Sequence, residues 1–171
     1  VTDDTAAINA AISAGGRFGP ASRESSTTTP AVVYFPSGTY IISTSIIDYY
    51  FTQLIGNANN IPILKATAGF VGLGLIDGDQ YQSDGNQGWG STNVFFRQIR
   101  NLKLDLTAIP AGTAATGIHW PTGQASSIQN VQIALSAASG TQHQGIFIEN
   151  GMFAFELNLA LLTMDQALVD G

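Results

Sequence analysis

The sequence contains no cysteine, which excludes a disulfide framework but leaves the compartment open, because a secreted protein can dispense with disulfides. Charge is scarce as well. Charged residues make up 11% of the chain, and six basic residues stand against twelve acidic ones for a net charge of −6. That balance argues against nucleic acid and against an anionic membrane as partners. No apolar run approaches the roughly 18 residues of a membrane-spanning helix, and no signal-peptide pattern is present. Asn-x-Ser/Thr sequons are absent too. The chain opens on Val1 rather than methionine, which reads as a mature or trimmed product.

Against these absences stand 44% hydrophobic residues and 19 glycines in 171 positions. They suit a single turn-rich all-β domain, long enough for a sizeable core. The organising feature is a repeat. Ile99, Asn101, Leu102, Leu104 and Leu106 recur 29 positions later as Ile128, Asn130, Val131, Ile133 and Leu135. Gly117-Ile118 recurs 28 positions later as Gly145-Ile146. Each copy holds short apolar runs alternating at period two, the mark of strands. One such unit cannot bury its own apolar face, whereas stacked units pair strand on strand and make a continuous core. The spacing therefore predicts a parallel β-helix, with Asn101 and Asn130 forming a ladder at one corner.

The remaining chain agrees. Thr2 or Asp3 is a good N-cap for a short helix that ends at Gly15-Gly16 and presents Ile8, Ala11 and Ile12 on one side. Such an element would plug the open end of the core. Residues 17–31 read as a loop, and AVVYF and TYIISTSII as strands around a turn at Pro36-Ser37-Gly38. Leu54–Gly56, Ile63–Lys65 and the GFVGLGLIDGD run read as further strands. Residues 80–93 read as a polar excursion with Tyr81 and Trp89 exposed. The whole is expected as one domain: a capping helix over 1–16, coils over 32–151, and a closing strand or helix over 152–171. In that last stretch Leu157, Leu159 and Leu161 would align 26 positions after Val131, Ile133 and Leu135.

Taken together, VTDDTAAINAAISAGG, VVYFPSGTYIISTSI, TQLIG, FFRQIRNLKLDLTAI, TGIHW, SIQN and HQGIFIENG resemble the N-terminal β-helix of fungal family-55 glycoside hydrolases. The resemblance covers roughly residues 1–151. It implies a right-handed, single-stranded, pectin-lyase-like parallel β-helix from an extracellular, inverting exo-β-1,3-glucanase. It also implies a second β-helix, absent here, that carries the general-acid glutamate. Gln124 matches the residue that positions the attacking water in that family. The serine expected after Asn150-Gly151 is Met152 in this chain, and Phe18 and Ala21 stand near positions usually held by cysteine. These departures point to a truncated, re-capped first domain without activity alone. A structural or engineered solenoid, or a carbohydrate-binding module, is the alternative.

Hydrolysis of a glycoside needs two carboxyl groups, about 5–5.5 Å apart for retention and about 6.5–9.5 Å apart for inversion. Asp48, Asp77, Asp79, Asp84, Asp105 and Glu149 are the candidates. Asp105 reads as solvated beside Lys103, Asp48 as a coil corner and Glu149 as a turn residue. Asp77-Gly78-Asp79 with Asp84 fails as an EF-hand, since Gln82 and Gly88 stand where glycine and glutamate are required. With two histidines and no third ligand, no metal or other cofactor is expected. His119, Trp120, Gln124, His143 and Gln144 are expected along one lateral edge. Tyr49 and Tyr50 join them as further sugar-groove candidates. Aromatic faces and amide or imidazole donors suit a sugar, here β-1,3-glucan. The Leu-rich tail is a candidate surface for a homodimer.

Overall fold

The computed structural model describes residues 2–20, 29–90, 94–123 and 125–149, together with the backbone of 156–162. Among them the elements run α1 (Thr5–Ser13), β1 (Ala31–Phe35), β2 (Thr39–Ile47), β3 (Thr52–Gly56), β4 (Ile63–Asp77), β5 (Gln98–Asp105), β6 (Ala115–Trp120), β7 (Ser127–Ala134), β8 (His143–Ile148) and β9 (Glu156–Leu162). Among the described residues the fold is all-β apart from one short helix, and every pairing between these strands is parallel. Two ladders result. β1, β3, β5, β7 and β9 pair in succession, and so do β2, β4, β6 and β8. Ile63–Lys65 of β4 also pair with Lys103–Asp105 of β5.

The repeat in the sequence is the pairing register itself. Ile99 lies opposite Ile128, Leu102 opposite Val131, Leu104 opposite Ile133, and Ile118 opposite Ile146. Successive rungs therefore bury like residues: Leu54, Ile99 and Ile128 form one row and Leu64, Leu104 and Ile133 another, all fully enclosed. The recurrent glycine has a steric cause. A Cβ on Gly117 would stand 2.6 Å from the carbonyl oxygen of Gly145 and 2.8 Å from Ile133 Cγ2, closer than real contacts allow.

Asn101 and Asn130 explain why the apolar pattern slips by one residue between Ile99 and Leu102. Both adopt the left-handed conformation (φ 54° and 51°), which bends the strand and turns the flanking apolar side chains inward together. The expected ladder forms. Asn130 Nδ2 donates to Asn101 Oδ1 at 2.8 Å, and Asn101 Nδ2 donates to the Gly56 carbonyl at 3.3 Å. Asn101→Ala is expected to cost about 1–2 kcal/mol in urea unfolding, and Asn101→Gly clearly less, because glycine accepts the backbone angle while losing the amide bonds. Equal losses would assign the corner to the amides rather than to the angle.

The helix lies where the sequence places it, with different caps. Asp4, not Thr2 or Asp3, holds the N-cap position and makes no side-chain capping bond there. Instead Asp3 Oδ1 accepts from the Thr5 amide at 3.0 Å, and Asp4 Oδ2 accepts from the Ile41 amide at 2.9 Å. The acids are spent on tying the helix to β2. Ile8 and Ile12 enter the core, while Ala11 stays exposed because two isoleucines already fill the contact.

Two further expectations change. β9 exists, but Val131 pairs with Leu159 and Ile133 with Leu161, a shift of 28 positions rather than 26. The two-residue difference keeps the faces of the strand, so alternation alone cannot distinguish the registers. The remaining tail positions, 152–155 and 163–171, lie outside the described residues. Trp89, expected exposed, is only 2% accessible. The strap formed by residues 78–90 folds back so that Trp89 N donates to Asp79 Oδ1 at 2.9 Å and the Arg97 guanidinium sits 4.8 Å from the indole. Burying a large ring against a cation outweighs leaving it on the loop surface.

Candidate functional site

The strands place one polar cluster on the side wall. Ile76, Ile118 and Ile146 point into the core in register, so the next residues, Asp77, His119 and Phe147, stack on the opposite face. His119 Nδ1 meets Asp77 Oδ1 at 2.8 Å and Nε2 meets Glu149 Oε2 at 3.1 Å. Tyr81 and Phe147 sandwich the imidazole, nearly parallel to it, at 5.8 and 5.4 Å. The strap closes the cluster from outside: the Tyr81 hydroxyl donates to Glu149 Oε1 and Gln87 Nε2 donates to Oε2 at 3.3 Å.

The electrostatics follow from these contacts. Burial opposes a charged His119, but the hydrogen bond and charge of Asp77, joined by those of Glu149, outweigh it and raise its pKa. A carboxylate faces each ring nitrogen, an arrangement that favours the doubly protonated imidazolium. Burial pushes Glu149 upward, yet the bonds from Tyr81 and His119 win and keep it low. The Tyr81 hydroxyl, by contrast, is raised to about 12, first by its bond to Glu149 and then by burial. Glu149 is therefore an anion with 26% of its side chain accessible. Among the described residues its Oε2 takes two donors and its Oε1 one, which leaves Oε1 an acceptor position for a hydroxyl from outside. Beside it the Tyr81 ring is 44% exposed. An open aromatic face next to an unspent carboxylate lone pair is a surface suited to a sugar.

The groove residues expected from sequence do not all gather here. His119 does. Trp120 is fully buried in the core rather than lining a surface. His143 pairs with Ala115 at the far end of β6, about 13 Å along the strand from His119 at ~3.3 Å per residue. It is a corner residue: Nδ1 accepts from the Ser136 amide at 3.1 Å and Nε2 faces the Pro110 carbonyl at 3.3 Å. Gln144 stays nearby, its Oε1 accepting from the Thr116 hydroxyl at 3.3 Å. Tyr49 packs edge-on against Trp89 at 5.5 Å, and Tyr50 edge-on against Phe95 and Phe96 at 6.3 and 5.9 Å. Gln124 lies outside the described residues. Among the described residues no group of His, Asp and Glu side chains could hold a metal ion.

Glu149 directly follows β8, as expected, and there serves as a hub for His119, Tyr81 and Gln87. Asp48 lies in the β2–β3 connection, the corner expected of it, and is completely buried there. Asp105 pairs with Lys65 at 3.6 Å across the β4–β5 rung, and the charge of Lys103 reaches it as well. Asp84 caps its own loop through the Asn86 amide at 3.1 Å.

A parallel, strand-rich all-β chain with such a side-wall cluster fits one class, and the chain belongs to it. The sequence matches the rhamnogalacturonase A/epimerase, pectate lyase-like family over residues 1–161. More particularly, it is 54% identical over 152 residues to a glucan 1,3-beta-glucosidase of Cochliobolus carbonum, covering 88% of this chain and 19% of that protein. It is 48% identical over 160 residues to a probable glucan endo-1,3-beta-glucosidase of Arthroderma benhamiae, covering 92% and 18%. A non-secreted LysM effector, LysM19, of Penicillium expansum is 45% identical over 162 residues, covering 95% and 13%. The chain thus spans less than a fifth of the length of these relatives.

Proposed function

We propose that the chain winds as a right-handed single-stranded parallel β-helix and supplies one wall of an extracellular cleft that cleaves β-1,3-glucan. The general acid then lies on a second β-helix outside these residues, so this chain alone binds but does not hydrolyse. The two parallel ladders at a 28–29 residue register support the winding, with 1–16 capping, 32–151 coiling and 152–171 closing the far end. The names of the glucosidase relatives support the substrate class. One observation carries the reading: the ionised Glu149, with a spare acceptor position, beside the exposed Tyr81 ring. Gln124 keeps the role of holding the attacking water in this reading. Self-association through 152–171 belongs to it as well and would appear as a dimer in sedimentation.

Calorimetric titration with laminari-oligosaccharides tests the proposal. Binding is expected without release of glucose from laminarin, and Tyr81→Ala and Glu149→Gln should each weaken it about tenfold, the worth of one stacking or charge-assisted contact. Glucose release abolished by a single carboxylate substitution would show that the chain carries its own acid. No binding at all would favour the second reading, a structural solenoid.

A further inference from the structure

Behind the wall, stretches distant in sequence bring a second polar group together, and the glucan-facing cluster does not use it. Asp48, Asp79 and Arg97 are entirely buried and Trp89 is 2% accessible. Their backbones and rings are tightly tied. Arg97 Nε donates to the Asp48 carbonyl at 2.7 Å, its guanidinium lies over the Trp89 indole, and Trp89 N reaches Asp79 Oδ1. The Asp48 amide in turn donates to the Asp77 carbonyl at 2.9 Å. The polar ends, however, have no hydrogen-bond partner among the described residues: both Asp48 oxygens, Asp79 Oδ2, both terminal nitrogens of Arg97 and the indole Nε1 of Trp89. No ion pair joins Arg97 to either carboxylate among the described residues.

Such an arrangement is costly unless something completes it. A buried polar group without a partner forfeits the hydrogen bonds that water gave it, and a charged one forfeits more. The inventory says what fits. Arg97 offers up to four N–H groups and Trp89 one, while the two aspartates offer acceptors, so a ligand must both donate and accept. A metal cation would share the space with the Arg97 charge, and an apolar guest would satisfy none of the groups. Direct contact between guanidinium and carboxylate is opposed by the two anchors on Arg97, the Asp48 carbonyl at Nε and the indole face.

We propose that Asp48, Asp79, Trp89 and Arg97 enclose an internal site for ordered water, whose molecules bridge the two carboxylates to the guanidinium and the indole. The bridge holds the strap from inside, since Asp79 and Trp89 lie near its two ends, just as Glu149 holds Tyr81 and Gln87 from outside. Its role is independent of whether the wall binds glucan.

A high-resolution crystal structure and the oxygen-17 magnetic relaxation dispersion of dissolved protein test it together. Density for water within hydrogen-bonding distance of both Asp48 and an Arg97 terminal nitrogen is expected, with a long-lived water signal that falls in Arg97→Met. Amide exchange over residues 78–90 should rise in the same variant. Should Arg97→Met fail to fold, the native protein still decides. A direct two-pronged Asp48–Arg97 pair without intervening water, or a dispersion profile without long-lived water, overturns the proposal. So does a peak ligated by six or more oxygens at about 2.3–2.6 Å, which would be a cation such as calcium.

Discussion

Leu104→Ala is expected to lower the free energy of unfolding by about 3–5 kcal/mol, the upper part of the range for a buried leucine. Leu104 is fully enclosed, as are its register neighbours Leu64 and Ile133. What places it high in the range is the inability of the site to collapse. Each neighbour is fixed by parallel hydrogen bonding to the strand on either side, so closing the gap would require rungs to approach more nearly than the backbone permits. Part of the cavity therefore persists and adds its cost to the lost transfer energy. Val32→Ala serves as the control, because Val32 is 63% exposed on the first strand and should change stability by less than about 0.5 kcal/mol. Urea unfolding with an unchanged denaturant slope is the measurement. A loss below about 1 kcal/mol for Leu104→Ala would mean that the apolar rows are slack or that another register is populated.

The same rows explain what could be read from the chain before its structure. Period-two alternation and the recurrence of Ile99 as Ile128 report local geometry and like-on-like stacking, and both survive folding unchanged. Gly117 stands in the repeat for a steric reason, the close approach of the Gly145 carbonyl on the next rung. The wall cluster was within reach by the same logic. Aligning Ile76 with Ile118 and Ile146 stacks Asp77, His119 and Phe147, yet the third rung has no glycine-isoleucine pair to mark it. Glu149 and Tyr81 are 68 residues apart and meet only because the strap closes over the wall, a tertiary event without local signature. Trp89 and Trp120 show the limit most plainly. Tryptophan on a polar loop or at a strand end suits either a sugar surface or a core, and only packing decides. Here both rings are buried, so neither is a sensitive reporter of a sugar on the wall. The bulky residues Phe51 and Phe96 adopt left-handed angles, φ 59° and 58°, that no residue preference would suggest. They are held there because adjacent rungs must turn at the same place.

Stability is expected to fall as pH rises from about 4 to about 7, and Asp48 is the main cause. Burial pushes its carboxyl up to about 7, with the charges of Arg97 and Arg17 pulling in the opposite direction. The charges that act on it are Arg97, ahead of β5, and Arg17, after the helix; Asp77, Asp79 and Tyr50 act in turn on Arg97, and Tyr49 on Arg17. Because the folded pKa exceeds the unfolded 3.8, the native state holds more protons than the unfolded chain across that window. Each unit of difference is worth about 1.4 kcal/mol, so the loss reaches about 4 kcal/mol by neutral pH. His119 adds to the trend in the same direction. Its raised pKa contributes stability that is complete below about 6.5 and is lost as pH climbs through the raised value. On the acid side the sign reverses. Glu149 and Asp105 are held low, so their contributions vanish as they protonate, and the optimum should fall near about pH 4. Thermal unfolding of the native chain and of Asp48→Asn between pH 4 and 8 separates the causes. The two curves should diverge as pH rises, with the native chain falling and the variant flatter. Parallel curves would mean that Asp48 is ionised throughout, the charges of Arg97 and Arg17 offsetting its burial.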